Sequence, residues 1–395
     1  MKMKFLFIAF ALLLCQCGMA QQTVSLGKLI EYPDFSSSIV TSRDVFVWLP
    51  SDYSPKEKYD VLYMHDGQML FDANTTWNKQ EWGIDEVVGK LLNEKKIRSC
   101  IVVGVANIPE TRYADYFPQK ALKNLPDSVV SGNVSFNADN YLRFLVEEVK
   151  PFIDKEYSTN KSVEHTFVMG SSMGGLISLY ALCEYPEVFG GAACMSTHVP
   201  MILSKELSKE KADQWSGAFR NYLDENLPTA NSRIIYMDRG DATLDAYYPP
   251  YQDELDKLMR KKGWKGPMWV SKVFPGAAHT EVDWNKRLDN PLLFLLGTDR
   301  KDCICDKKDT DMSPDNYLIS KFKDADIVLL AEDHGVKENL DFVRKMIPKL
   351  YANGIYMLGM EFGAYEDQKQ LDSLINAPRD RKSTRLNSSH ITISY

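Results

Sequence analysis

The chain has 395 residues, 44% hydrophobic and 26% charged, with 54 acidic side chains against 47 basic ones and a net charge of −7. This is the composition of a globular protein long enough for two domains. The acidic balance disfavours nucleic acid and anionic membranes as partners.

Met1 to Ala20 begins with Lys2 and Lys4, runs through "FLFIAFALLL" and closes on "CGMA". That is the pattern of a secretory signal peptide cleaved after Ala20, too short to span a bilayer and followed by no stop-transfer run. It predicts a secreted or periplasmic protein without stable membrane insertion. Cys15 and Cys17 suggest a lipoprotein, but Leu14 and Gln16 precede them, where a small residue is expected. Release is therefore preferred to lipid anchoring. Five cysteines then remain, Cys100, Cys183, Cys194, Cys303 and Cys305. An odd, scattered set defines no disulfide framework.

Between Ser42 and Leu296, β-like runs alternate with longer helical patterns. "DVFVWLP" and "YDVLYMHDG" predict strands, Glu81–Asn93 a helix, "SCIVVGVAN" a strand and Asp139–Phe152 a helix. After the strand at Thr166–Met169 come a helix, strands at "GGAACMS" and "SRIIYMD", and a helix over Asp253–Lys262. A strand at "MWVSKVF" and a helix beginning near Glu281 complete the series. Near-continuous apolar strands separated by helices predict a mostly parallel sheet covered on both faces, an α/β class.

Gly170-Ser171-Ser172-Met173-Gly174 forms G-x-S-x-G between a strand and a helix, the setting of a nucleophile elbow. Ser172 would occupy the strained apex, with the Met173 N–H facing a reacting carbonyl. The competing reading is a Gly/Ser loop that merely opens a helix. A serine hydroxyl needs a base within hydrogen-bond reach and a carboxylate to orient that base. His279, after the last predicted strand in "GAAHTEVDW", is the candidate base, against a plain surface histidine. Three acids compete in "MDRGDATLDAYYPPY". Asp238 ends the strand and reads as a turn cap, and Asp241 follows Gly240, where an Asx turn is an easy alternative. Asp245, one short loop further on, is preferred and Asp241 is the runner-up. "YMHDGQMLFD" also follows a strand, so Gly67 would let the Gln68 N–H complement Met173 as an oxyanion donor. His65 and Asp66 read as turn and pocket residues, and His198 as a pocket or loop residue.

"YMHDGQMLFD", "WGIDE", "IVVGVAN", "RYADYFP", "GSSMGGLISLY", "GDATLDAYYPPY" and "FPGAAHTEVDWNKRLDNPLLFLL" occur in the order of a known group. They resemble a serine esterase family of the α/β-hydrolase fold. It includes siderophore esterases, S-formylglutathione hydrolases, feruloyl and acetyl-xylan esterases, and mycolyltransferases. The resemblance covers about residues 42–297. It implies Ser172 as nucleophile, His279 as base and an acid in the 241–245 loop, with Asp241 and Asp245 both open. It also implies no cofactor for this domain, and a small-molecule or glycan-linked ester as substrate, with "HDGQMLFD" leaning toward the siderophore branch. An acyltransferase on the same fold and a non-catalytic ligand-binding relative are the alternatives.

The expected domains are 21–297, a charged linker over 298–323 and a second α/β unit over 324–379. In "DADIVLLAEDHGVKENLDFVRKMIPKLYANGIYMLGMEFGAYEDQ" a strand, a helix to Leu350 and another strand place Glu332, His334 and Glu361 at strand ends. The segment is similar to the start of ChaN/Tiki and erythromycin-esterase-like folds. That implies a site where these three would bind a divalent metal or activate water. The alternative is a generic α/β unit with capping acids. The final "DRKSTRLNSSHITISY", 380–395, resembles a translated sequencing adapter, so the second unit is expected to be truncated. Without the two signal-peptide lysines and the tail's net two positive charges, −7 becomes −11.

Overall fold

The alternating runs assemble into one sheet of eight strands in the order β1-β2-β4-β3-β5-β6-β7-β8. The strands are β1 Lys28–Phe35, β2 Arg43–Leu49, β3 Asp60–His65, β4 Cys100–Val105, β5 Thr166–Ser171, β6 Gly191–Met195, β7 Ile234–Arg239 and β8 Trp269–Val273. β1 and β2 are antiparallel to their neighbours, and β4 through β8 are parallel. The computed structural model describes residues 22–125, 135–201, 209–230, 232–298, 313–322 and 337–354. The chain divides into two compact units, Met1–Ile304 and Cys305–Tyr395.

Strand period and a two-sided core explain the unbroken apolar runs. Val61 and Tyr63 of β3 pack on one face while Leu62 and Met64 pack on the other; β2 and β4 alternate in the same way. One face is covered by α3 Ala138–Arg143, α4 Lys150–Glu156, α5 Met173–Glu184, α6 Lys209–Asn226 and α7 Pro249–Lys261. The other is covered by α1 Ile84–Asn93 and α9 Asp289–Leu296. The short helices α2 Arg112–Tyr116 and α8 Glu281–Asn285 belong to connecting loops. Among the described residues no helix is long and apolar enough to cross a membrane.

The structure corrects several boundaries. β1 carries Glu31, Pro33 and Asp34 and had no alternating signal; it exists as a half-exposed edge, where proline costs no ladder bond. The helix expected over Asp139–Phe152 runs from Ala138 to Glu156, with a π-helical stretch at Phe144–Val149. α7 begins at Pro249 rather than Asp253, because proline is pre-shaped for a first helical turn. α6 escaped notice because its apolar side, Ala212, Phe219, Tyr222 and Leu223, is diluted by twelve polar, charged or glycine positions among its 18 residues.

In the second unit, α10 Pro314–Lys321 lies in the stretch expected to be a linker, its start capped by the Ser313 hydroxyl. α11 Lys337–Ala352 ends two residues beyond the expected Leu350, and Leu318, Met346 and Leu350 form a small core with α10. Glu332, His334 and Glu361 lie outside the described residues, as do residues 1–21, expected to hold a signal peptide, and 380–395.

The N-terminal segment is tied down by carboxylates. Ser25 and Leu26 donate their N–H groups to Asp85 Oδ2 at 2.7 and 3.2 Å, and the Ser25 hydroxyl donates to Glu86. Asp85 is fully buried. Burial and the neighbouring Glu86 push its carboxyl up to about 7. Because that value is raised on folding, Asp85 stabilises the fold fully below its unfolded pKa near 4, and the gain is lost as pH rises through 7. Asp85→Asn, which keeps the acceptor and supplies the proton donor, should flatten this slope. Its melting midpoint above pH 7 should exceed the parent's by roughly 2–4 °C in a pH series of thermal melts.

Candidate active site

The chain leaves β3 toward β4 on one side and, after crossing back, leaves β5 toward β6 on the other. β3 and β5 are hydrogen-bonded neighbours, with Met64 opposite Met169. Their carboxyl ends therefore flank a switch point, where such sheets open a crevice.

Ser172 sits there between β5 and α5, partly exposed, at φ 57° and ψ −120°. A non-glycine residue in such a conformation stores about 1–3 kcal/mol of strain. Its neighbours hold it: the Ser172 N–H donates to Met195 O at 2.9 Å, and the His198 N–H donates to Ser172 O at 3.1 Å. A Cβ on Gly170 would lie 2.7 Å from the Gly174 carbonyl carbon, so glycine lets strand and helix touch. Gly170→Ala should cost roughly 1–3 kcal/mol in denaturant unfolding and lower catalytic rate by displacing Ser172. Ser171 is buried. As the first residue of α5, Met173 has an N–H with no acceptor inside the helix.

His279 and Asp245 come together by two loops that lace to each other. The N–H groups of Asp241 and Ala242 both donate to Ala277 O, and the His279 N–H donates to Thr243 Oγ1 at 2.8 Å. His279 Nδ1 is 2.6 Å from Asp245 Oδ1. Asp245 has no exposed side-chain surface, and that burial pushes its carboxyl up. The donors His279, Ser196 Oγ at 2.5 Å and Gly240 N at 2.6 Å outweigh it and hold the group below the usual carboxylate range. With Nδ1 engaged, Nε2 is the ring nitrogen left for a reacting proton. Asp241 is exposed and accepts from the Gly276 N–H at 2.6 Å, a loop brace. Asp238 does more than cap a turn: it is buried and paired with Arg287.

Tyr248 links the serine to the histidine. Its hydroxyl contacts the Ser172 side chain and lies 2.8 Å from His198 Nδ1, while its ring stands edge-on to His279, centroids 5.8 Å apart. Burial and the Asp245 charge push the phenol well above its ordinary value, so it stays protonated. Among the described hydrogen bonds, Ser172 and His279 do not bond directly to each other; each contacts Tyr248.

The turn after β3 abuts the start of α5. A Cβ on Gly174 would lie 3.3 Å from Asp66 Oδ2. Asp66, at φ 58°, is gripped by Arg112 through two bonds of 2.7 and 2.8 Å and by Asn107 at 2.6 Å. Gln68 Oε1 accepts from the Asn107 N–H at 3.1 Å, and Gly67 is pressed against Gly104. His65 is buried, 2.8 Å from the Tyr141 hydroxyl, and burial lowers it to about 4, so it is neutral. Among the described residues no group of three His, Cys, Asp or Glu side chains is placed to hold a metal ion.

Sequence reasoning missed Tyr248 as a contact of both Ser172 and His279, and Ser196 as a partner of Asp245. Neither carried a motif; Tyr248's position three residues after Asp245, at the start of α7, was the one available signal.

Residues 36–295 match a family whose description reads "Putative esterase". The chain belongs to this esterase family. Among curated relatives, YjcH of Bacillus subtilis is 30% identical over 173 residues, 44% of this chain and 63% of that protein. YbbA of the same organism is 23% identical over 66% of this chain and 94% of its own length. The ferri-bacillibactin esterase BesA, also from B. subtilis, is 25% identical over 41% and 56%. The chain thus spans between half and two thirds of two of these relatives and nearly all of the third. Among solved structures, an IroE-like serine hydrolase from Shewanella oneidensis superposes with a TM-score of 0.51 at 19% identity, covering 83% of this chain and 95% of that one. A ferulic acid esterase gives 0.50 at 20% identity, covering 69% and 98%. The esterase has the α/β-hydrolase fold of these neighbours.

Proposed function

We propose that the protein is a secreted serine carboxylic-ester hydrolase in which Ser172 attacks, His279 shuttles the proton and Asp245 orients His279. The observation that carries this reading is the 2.6 Å His279–Asp245 bond in loops beside a strained serine at the sheet's switch point. The Ser172 hydroxyl turns from Tyr248 to His279 Nε2 as substrate enters. His279 takes its proton while the oxygen adds to the ester carbonyl, and the Met173 and Gln68 N–H groups receive the developing oxyanion. Collapse expels the alcohol, protonated by His279, and leaves an acyl-serine. Water, deprotonated by His279, releases the acid.

Secretion is supported by the Lys2/Lys4 start and the apolar run before Ala20. The substrate is a bulky siderophore- or glycan-linked ester. The names of the ferri-bacillibactin and ferulic acid esterases point that way. So do two exposed aromatics, Trp77 and Tyr247, in loops joined to the His279 segment: Asn78 bonds Glu281 at 2.9 Å, and Tyr247 adjoins Tyr248. Hydrolysis of a chromogenic ester series from acetyl to feruloyl tests this. Turnover should rise toward the aromatic acyl groups, and activity on none of them would reject the hydrolase.

A further inference from the structure

Asp245 has a second set of neighbours that a nucleophile, base and acid do not require. Ser196, the residue after β6, stands at φ 41° with its N–H on Asp238 O at 2.8 Å. Its Oγ receives two N–H donors, Trp284 Nε1 at 3.0 Å and Arg287 Nη2 at 2.8 Å. Neither an indole N–H nor a guanidinium can accept, so the single hydroxyl proton is forced onto Asp245 Oδ2, 2.5 Å away. Arg287 is buried, forked onto Asp238 by bonds of 3.2 and 3.1 Å, and lies over the Phe274 ring. Tyr236 OH adds a 2.9 Å bond to Asp238. Trp284 also packs edge-on against His279, centroids 5.0 Å apart.

The charges of this buried group are one guanidinium and two carboxylates, a net of −1. Transfer of the Ser172 proton to His279 adds +1. The cluster is therefore neutral when His279 is protonated, as it is in the transition state. Arg287 alone would oppose the imidazolium; Asp238 cancels it while leaving its N–H free to polarise the Ser196 hydroxyl.

We propose that Ser196, Arg287 and Asp238 are positioning residues for catalysis, holding Asp245 ionised and oriented and setting the charge balance that His279 completes. This rests on the reading of Ser172 and His279 above. Among the described residues, the other charged and titratable groups near His279 include Asp245 and Tyr248 across from it, Asp241 bonded to its loop through the Gly276 N–H, and Glu281 and Asp283 on its own loop. Asp283 is paired with Lys286, and Glu281 is faced by Arg112.

The test is a kcat and kcat/KM pH profile on the full chain with 4-nitrophenyl acetate. Asp238→Asn leaves Arg287 charged, since a guanidinium does not lose its proton, so the cluster gains one positive charge. The acid limb of kcat/KM should move to lower pH by about one unit, and kcat should fall roughly tenfold with KM unchanged. Ser196→Ala should lower kcat by roughly 10–30-fold, again with KM unchanged. A purely structural brace would lower the melting temperature and leave the acid limb where it is. Should Asp238→Asn not fold, Trp284→Phe, which keeps the ring and removes one donor to Ser196, should still lower kcat by roughly threefold. An unmoved acid limb in folded Asp238→Asn, or parental kcat in Ser196→Ala and Trp284→Phe, overturns the proposal. Ser172→Ala run in parallel separates the failures: if it keeps parental activity, the nucleophile is wrong; if it is inactive, only the positioning role falls.

Discussion

Ser172→Ala should lower kcat by about 10⁶-fold while leaving the melting temperature within a few degrees of the parent, and His279→Ala should cost nearly as much. The two should not add, because each removes the same unit: a hydroxyl without a base and a base without a hydroxyl are equally idle. The stability side follows from the local geometry. Ser172 is partly exposed and strained, and its fixed backbone bonds to Met195 and His198 do not involve the hydroxyl. Truncation to alanine removes the contact to Tyr248 and little else. Steady-state hydrolysis of 4-nitrophenyl acetate beside a thermal melt reads both effects. Residual turnover within a hundredfold of the parent would place the nucleophile elsewhere.

Asp245→Asn should cost about 10⁴-fold in kcat, whereas Asp241→Asn should stay within a few-fold. The difference lies in fixed donors. Gly240 N and Ser196 Oγ both point hydrogens at Asp245 Oδ2, and the Gly240 N–H cannot rotate away. An asparagine amide must therefore turn its oxygen to that side and its NH2 to His279 Nδ1. That reverses the imidazole tautomer, placing the hydrogen on Nε2, where Ser172 needs an acceptor. At position 241 the carboxylate only accepts the Gly276 N–H on the surface, and an asparagine oxygen does so equally well. Paired pH–rate profiles of the two variants check the contrast. Equal losses at both positions would mean that the loop, not the acid, matters.

Much of this was legible in the chain because the chemistry is local in sequence. The elbow needs a strand, three small residues and a helix in immediate succession, and Gly170, Ser172 and Gly174 supply them. His279 stood out as a candidate because its loop follows the last parallel strand, and sheets of this class place working residues at strand carboxyl ends; the structure brings it onto Asp245. The choice between Asp241 and Asp245 was harder, since both lie in one short loop. What separates their positions in the fold is that Gly240 and Ala277 are pressed together, with a Cβ on Gly240 coming within 2.0 Å of Ala277 O. That closeness turns Asp245 inward and leaves Asp241 at the rim. The Ser196–Arg287–Asp238 assembly was not legible, because its members come from three segments and meet only through the folded sheet. Asp238 illustrates the limit: at a strand end it passes for a turn cap until Arg287 arrives from 49 residues away.

The most direct measurement is covalent trapping. The full chain is treated with a fluorophosphonate, digested and mapped by mass spectrometry. One adduct is expected, on the peptide carrying Ser172, formed quickly in the parent, slowly in His279→Ala and not at all in Ser172→Ala. An actively hydrolysing protein that carries no adduct at Ser172, or carries one at another serine, would contradict it.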